Sequence, residues 1–387
     1  MATLRLPVAG RRVAPYTTRP AVAFPPANGP FNRIAYAATH VVGDPLADSN
    51  PWLDAAVDWD RTIAYRRYLW SLGLGVAEAM DTAQRGMGMD WPRSLELIRR
   101  SLDAARDVPG ALLASGIGTD QLDPGAQVTI DDVIRAYEEQ CAAVEKLGGR
   151  IVLMASRALT RAARSPDDYA KVYGRILRQL KDKAIIHWLG EMFDPALAGY
   201  WGHADHARAM DVAVDIIAAN ATKIDGVKIS LLDKNKEIAM RRRLPPGVRM
   251  YTGDDFNYAE LIFGDSSGYS DALLGIFDAI APAAAAALGA LARGDAKSFD
   301  AILAPTVPLS RHIFQAPTRF YKTGVVFMAY LNGHQDHFVM VGGQESARST
   351  LHLAELFRLA DVAGLLRDPD RAAAHMRAVL AVRGVEA

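Results

Sequence analysis

The chain has 387 residues, half of them hydrophobic, with 44 Lys and Arg set against 44 Asp and Glu. That balance excludes the strongly basic surface of a nucleic-acid or anionic-membrane protein, and it leaves ample apolar material for a core. A single cysteine, Cys141, excludes an intrachain disulfide and a cysteine-based metal site.

Residues 1–30 are rich in proline, lack periodicity and read as an irregular arm lying over the domain. Met1 to Pro7 holds no apolar signal segment, and the longest apolar stretch, Ala283 to Ala292, is too short to span a bilayer, so a cytoplasmic protein is expected. Short apolar runs follow at Ile34–Val42, Gly75–Met80, Ala111–Ile117, Arg150–Ala155, Lys183–Leu189, Gly226–Leu232, Val248–Thr252 and, less sharply, Tyr269–Phe277. Helical patterns separate most of them: Asp60–Leu72, Ile130–Leu147, Asp167–Leu180 and His206–Ala219 each place apolar residues on one face. Thr129 and Ser165 are suitable N-caps, each followed by acidic residues in the first turn.

Strand alternating with helix implies parallel strands joined by right-handed crossovers. Eight such runs over residues 31–278 predict an α/β fold of the (β/α)8 TIM barrel type. No Gly-rich phosphate loop follows any run, which disfavours a doubly wound sheet. Residues 279–387 read as a C-terminal helical extension, with helices over Ala279–Arg293, Ala296–Ile302, roughly Thr323–Asn332, Ser346–Leu359 and about Pro369–Val382. His334-Gln335-Asp336-His337 in that tail reads as polar and exposed, and Arg241-Arg242-Arg243 as a solvated helix end.

Barrel chemistry sits at the C-terminal ends of the strands. Lys228 lies within the sixth run, where burial disfavours the ammonium and would make the amine a nucleophile suited to a carbonyl substrate. The competing reading is a lysine that snorkels out or pairs with Asp225 or Asp233. Other strand-end candidates are Glu78, Asp81, Thr82 and Arg85 on the second run, His187 and Glu191 on the fifth, Ser230 on the sixth, and Asp254 and Asp255 after the seventh.

Gly226-Val227-Lys228 on the sixth strand, followed by Gly253-Asp254-Asp255 on the seventh, resembles the dihydrodipicolinate synthase/N-acetylneuraminate lyase family. The chain also looks like an uncharacterised bacterial branch of it, a domain of unknown function. The resemblance implies a Schiff-base lysine at Lys228, no cofactor, a small-molecule keto substrate and a homo-oligomer, dimer or tetramer. It also implies departures. The family's Gly-Thr-Thr-Gly-Glu motif, which holds a 2-oxo-acid carboxylate, matches Asp81-Thr82-Ala83-Gln84-Arg85 here, and the family's proton-relaying tyrosine falls on His187.

The expected function is therefore a class I lyase, aldolase or dehydratase acting on a small 2-oxo acid or sugar-derived keto compound. Lys228 and His187 would be catalytic, with Asp81, Thr82, Arg85, Ser230, Asp254 and Asp255 binding substrate. A divalent-metal isomerase, epimerase or lyase with Glu78, His187, Glu191 and Asp254 as ligands competes, and His203 and His206 could lie near the same mouth. A third reading is a sugar or keto-acid sensor that has lost the chemistry. Trp188, Tyr200 and Trp201 fit either a sugar-stacking mouth or the core.

Overall fold

A computed structural model describes residues 1–27, 29–123 and 127–386. All eight apolar runs coincide with a strand, the sixth starting two residues before its run: Ala35–Ala38, Gly75–Glu78, Leu113–Ile117, Arg150–Leu153, Ala184–Leu189, Ile224–Ser230, Arg249–Thr252 and Asp271–Leu274. They pair in parallel, each with its sequence neighbour, and the eighth pairs with the first to close a barrel. The helices named from periodicity are present, among them Ile130–Lys146, Pro166–Gln179 and His206–Ala219. Thr129 closes a capping box, its hydroxyl accepting from Asp132 N at 3.2 Å while the Asp132 carboxylate accepts from Thr129 N at 2.9 Å.

Alternation of side chains along the strands separates two cores. The larger lies between the strands and the helices. The smaller fills the barrel interior with Tyr36, Ala38, Ala77, Met80, Ala114, Val152, Ile185, Tyr251 and Leu273. Lys228 is in register with His187 on one neighbouring strand and Tyr251 on the other, so all three point inward. Gly226, two residues earlier, makes room for the Tyr251 ring, which a Cβ there would meet at 2.6 Å. The Tyr251 hydroxyl in turn donates to Asp225 at 2.6 Å. The Gly-x-Lys spacing thus packs a tyrosine floor beneath the lysine.

Four expectations need correction. The N-terminal arm is not irregular: Thr3–Val8 and Arg12–Thr17 form an antiparallel hairpin that buries Leu4 and Leu6. Pro7 and Pro15 are compatible with it because both strands of a two-stranded sheet are edges. The barrel boundary at 278 falls inside a short helix, Ile276–Ala279, and the eighth strand's following helix is Ala281–Ala292. The tail contains a helix, Val307–Ile313, that was not expected, since Pro308 masks a helix start as a loop. Within the supposedly exposed stretch 334–337, Gln335 is fully buried and His334 packs on Tyr65 and Tyr68.

Glu78, the last residue of the second strand, points outward and meets Arg66 in a fully buried bidentate pair, both N–O distances being 2.9 Å. Ser101 and Ala79 N complete its hydrogen bonds. Removing one partner strands the other charge, so Glu78→Ala is expected to lower stability by about 3–5 kcal/mol. Urea unfolding of Glu78→Ala and of the double variant Arg66→Met/Glu78→Leu checks this, with the double variant recovering most of the loss.

Candidate active site

Lys228 is 7 % exposed, at the centre of the sixth strand. Its amine donates no hydrogen bond to any described residue. Burial is the main influence and brings its pKa down to about 8, against the opposing pull of the Asp255 and Asp81 carboxylates. Asp255 is pushed up to about 7, again chiefly by burial, and its carboxylate accepts from Ile276 N at 2.8 Å. The two groups titrate as a coupled pair, each charge favouring the other's charged form against burial. The stem of Lys228 passes the seventh strand at Gly253, where a Cβ would come within 2.7 Å of its Cε and 2.2 Å of Ser230 Oγ.

Around the amine lies a small chamber walled by Ala38, Met80, Asp81, Thr82, Ser230 and Tyr321, among others, with room for about one water molecule. The second strand's exit makes one wall. Ala79 and Gln84 adopt left-handed backbone, at φ 53° and 60°, and bracket the turn that carries Asp81 and Thr82 over the mouth. Thr82 Oγ1 lies 2.8 Å from the hydroxyl of Tyr321, which opens the helix Tyr321–Leu331 of the C-terminal extension. Tyr321 is buried, and burial, reinforced by Asp81, holds its pKa well above the usual tyrosine value, so the phenol stays protonated. Sequence reading missed Tyr321, because nothing in an apolar tail helix shows that its first residue reaches the barrel mouth.

His187 is buried beside Lys228, with Nε2 3.2 Å from Ser230 Oγ. Burial, with the Lys228 charge added, drives its pKa well below 6.5, so the imidazole is neutral. It lines a larger outer cavity of about 650 Å3 rather than the chamber itself. A second outer cavity of about 290 Å3 shares Asp81, Leu189 and Phe193 with the chamber.

Several expected site residues are engaged elsewhere. Arg85 has an acceptor for every guanidinium N–H: both carboxylate oxygens of Asp120, Gln140 Oε1 and the carbonyls of Ala79 and Gly116. It braces the cavity wall and has no donor left for substrate. Asp254 turns away from the chamber and accepts from Phe256 N, Asn257 N and Asn257 Nδ2 at 2.8–3.0 Å, fixing the turn after the seventh strand. Asp233 likewise caps the helix Lys234–Arg241. The alternative metal set is scattered: Glu78 is outside the barrel with Arg66, Asp254 is in its turn, and Glu191 pairs with His206 at 3.2 Å. Among the described residues no three His, Cys, Asp or Glu side chains are grouped to hold a metal ion. Trp188, Tyr200 and Trp201 are buried and pack on one another and on Tyr173, so they belong to the core. Of the arginine run, Arg242 and Arg243 are surface-paired with Asp265 and Asp211, whereas the Arg241 side chain is not solvated as expected but largely buried, reaching Asp265 with its guanidinium. No helix among the described residues is long and apolar enough to cross a membrane.

A closed barrel with an inward lysine on its sixth strand and a helical tail over its mouth has the fold of the dihydrodipicolinate synthases. It is similar to YagE, a prophage protein of that family from E. coli K12 solved with pyruvate, at TM-score 0.66 and 13 % identity over 86 % of this chain and 99 % of that one. Dihydrodipicolinate synthase from Aquifex aeolicus gives TM-score 0.64 at 10 % identity, covering 86 % and 99 % of the two chains. The enzyme from Oceanobacillus iheyensis gives 0.58 at 14 % identity, covering 85 % and 96 %. By sequence the chain belongs to the family described as "Protein of unknown function (DUF993)", which it matches over residues 4–385. No curated protein matches it in sequence.

The lowered pKa sets a reactivity. A lysine attacks only as the neutral amine, so reductive methylation of Lys228 by formaldehyde is expected to reach half its limiting rate near pH 8. Ordinary surface lysines do so near their usual pKa of about 10.4. Peptide mapping across a pH series reads both.

Proposed function

We propose that this protein is a class I lyase or aldolase that forms a Schiff base between Lys228 and a small 2-oxo acid or sugar-derived keto compound, with no cofactor. The observation that carries this reading is the Lys228 amine: buried, without a hydrogen-bond partner among the described residues, and held on a rigid strand in a chamber that Asp255 also lines. A binding module gains little from a desolvated amine. The same chemistry in a fold shared with the dihydrodipicolinate synthases supports the reading.

Neutral Lys228 attacks the carbonyl carbon, forming the N–C bond while the carbonyl oxygen takes up a proton. A second proton then allows that oxygen to leave as water, giving an iminium ion. The iminium accepts the electron pair released when a neighbouring C–C bond breaks or a proton leaves the adjacent carbon, and becomes an enamine. Protonation of that carbon, or departure of a leaving group from the next one, restores an iminium, to which water adds to release the amine and the product ketone. The Tyr321 hydroxyl, coupled to Thr82, is the donor facing the chamber and takes the relay role that the family resemblance gave to His187. Neutral His187 orients Ser230, whose hydroxyl faces the same intermediate. Asp255 receives the proton that Lys228 must lose. Because the chamber holds only about one water, the carbonyl reaches Lys228 from the outer cavities as the wall at Leu189 and Phe193 gives way. A homo-oligomer belongs to the same reading, and sedimentation analysis tests it.

Borohydride trapping with a panel of 2-oxo acids and keto sugars, read by intact mass, tests the lysine. An adduct that maps to Lys228 and vanishes in Lys228→Ala is expected, whereas no adduct with any compound overturns the proposal. Tyr321→Phe is expected to retain trapping but to lower the rate of proton exchange at the carbon beside the iminium by about 10²–10⁴-fold, followed by deuterium uptake into the trapped acid.

A further inference from the structure

Lys322 is as buried as Lys228, at 3 % exposure, yet the lysine mechanism does not use it. It follows Tyr321 on the same helix, so one residue reaches the chamber and the next reaches the outer cavity. Its amine donates to the Arg319 carbonyl at 3.1 Å and touches the Met87 thioether at 3.2 Å, which are weak partners for a desolvated ammonium. Arg319 and Arg157 border the same cavity of about 290 Å3. Arg157 is paired with Asp194, whereas Arg319 is exposed and, among the described residues, its guanidinium meets the Phe320 ring and no hydrogen-bond acceptor. Four cations therefore border one cavity against two carboxylates, Asp81 and Asp194, although Arg85 has its donors already committed to protein acceptors.

We infer that this cavity is a subsite for a second anionic group of the substrate, a carboxylate or phosphate, bound by Lys322 and Arg319 while the keto carbon meets Lys228. Continuity supports it, since the chamber and the cavity share Asp81, Leu189 and Phe193. A 2-oxo acid with one charged end next to the ketone and another several bonds away spans the two. An anion there adds counter-charge to the Lys322 ammonium beyond that of Asp81 and Asp194, neither of which hydrogen-bonds to it, and it engages the fork of Arg319.

This inference rests on the Schiff-base reading for its substrate but not for its subsite, and the tests separate them. Borohydride trapping is titrated with 2-oxobutyrate, 2-oxoglutarate and 2-oxo-3-deoxy-6-phosphogluconate on the wild-type chain, Lys322→Met and Arg319→Gln. At least one of the two dianionic-ended acids should half-saturate at a concentration about tenfold lower than 2-oxobutyrate, the equivalent of one charge-assisted contact. Which one does so distinguishes carboxylate from phosphate. Either substitution should remove that advantage and leave 2-oxobutyrate unchanged. Equal capture of all three acids, or equal weakening of all three in the variants, overturns the subsite. Arg319→Gln is a surface change, so it reads the subsite even if Lys322→Met fails to fold. If no acid is trapped, the Schiff-base reading fails, and calorimetric titration with inorganic phosphate and with succinate decides the subsite alone. Binding that weakens about tenfold in Arg319→Gln upholds it, and no Arg319-dependent binding of either anion overturns it.

Discussion

Taking an ammonium out of water costs several kcal/mol unless opposite charge stands beside it, and at Lys228 the opposing charges are those of Asp255 and Asp81, neither hydrogen-bonded to the amine. The result is an amine whose charge is easily surrendered, next to an acid whose proton is easily accepted. The neighbouring structure serves to keep that arrangement in one geometry. Tyr251 fills the barrel below it, Gly226 admits the Tyr251 ring, and Gly253 lets the lysine stem pass. Each is a packing solution, and together they fix where the nitrogen sits.

Around this centre, polar residues divide by whether their bonding capacity is already used. Arg85, Glu78 and Asp254 look like site residues because they sit at strand ends, yet each is saturated by protein partners and holds the scaffold. Arg85 braces the cavity wall through Asp120 and Gln140, and Asp254 ties down the turn that positions Asp255. Lys228 and Lys322 are buried with few or weak partners. Buried groups left in that state are costly, and such costs are tolerated where chemistry or binding offsets them.

The barrel was legible because its periodicity is strong: after the first barrel strand, helix and strand alternate seven times, and each apolar run marked its strand to within a few residues. Lys228 was legible for the same reason, since a lysine amid Gly, Val and Ile contradicts its own strand. What the sequence hid are relationships made by tertiary structure. The hairpin of Thr3–Val8 and Arg12–Thr17 lies in a stretch whose prolines read as an irregular arm, although edge strands accommodate them. Whether a strand-end charge faces the chamber or a partner depends on residues far away in sequence, as Glu78 depends on Arg66 and Arg85 on Asp120. Tyr321 is 239 positions from Thr82, and no local pattern links them.

The two ends of the chain are fastened together. Tyr16 and Arg19 N donate to Asp361, Arg358 donates to the Pro7 carbonyl, and Arg377 to that of Thr3. The helix that begins with Tyr321 packs against the last helix, Pro369–Val382, and that helix packs against the first strand of the hairpin. During synthesis all eight barrel strands therefore leave the ribosome well before the residues that cap the mouth and anchor its cap. The eight strands alone do not enclose the amine; its chamber needs Tyr321, a residue made after all of them.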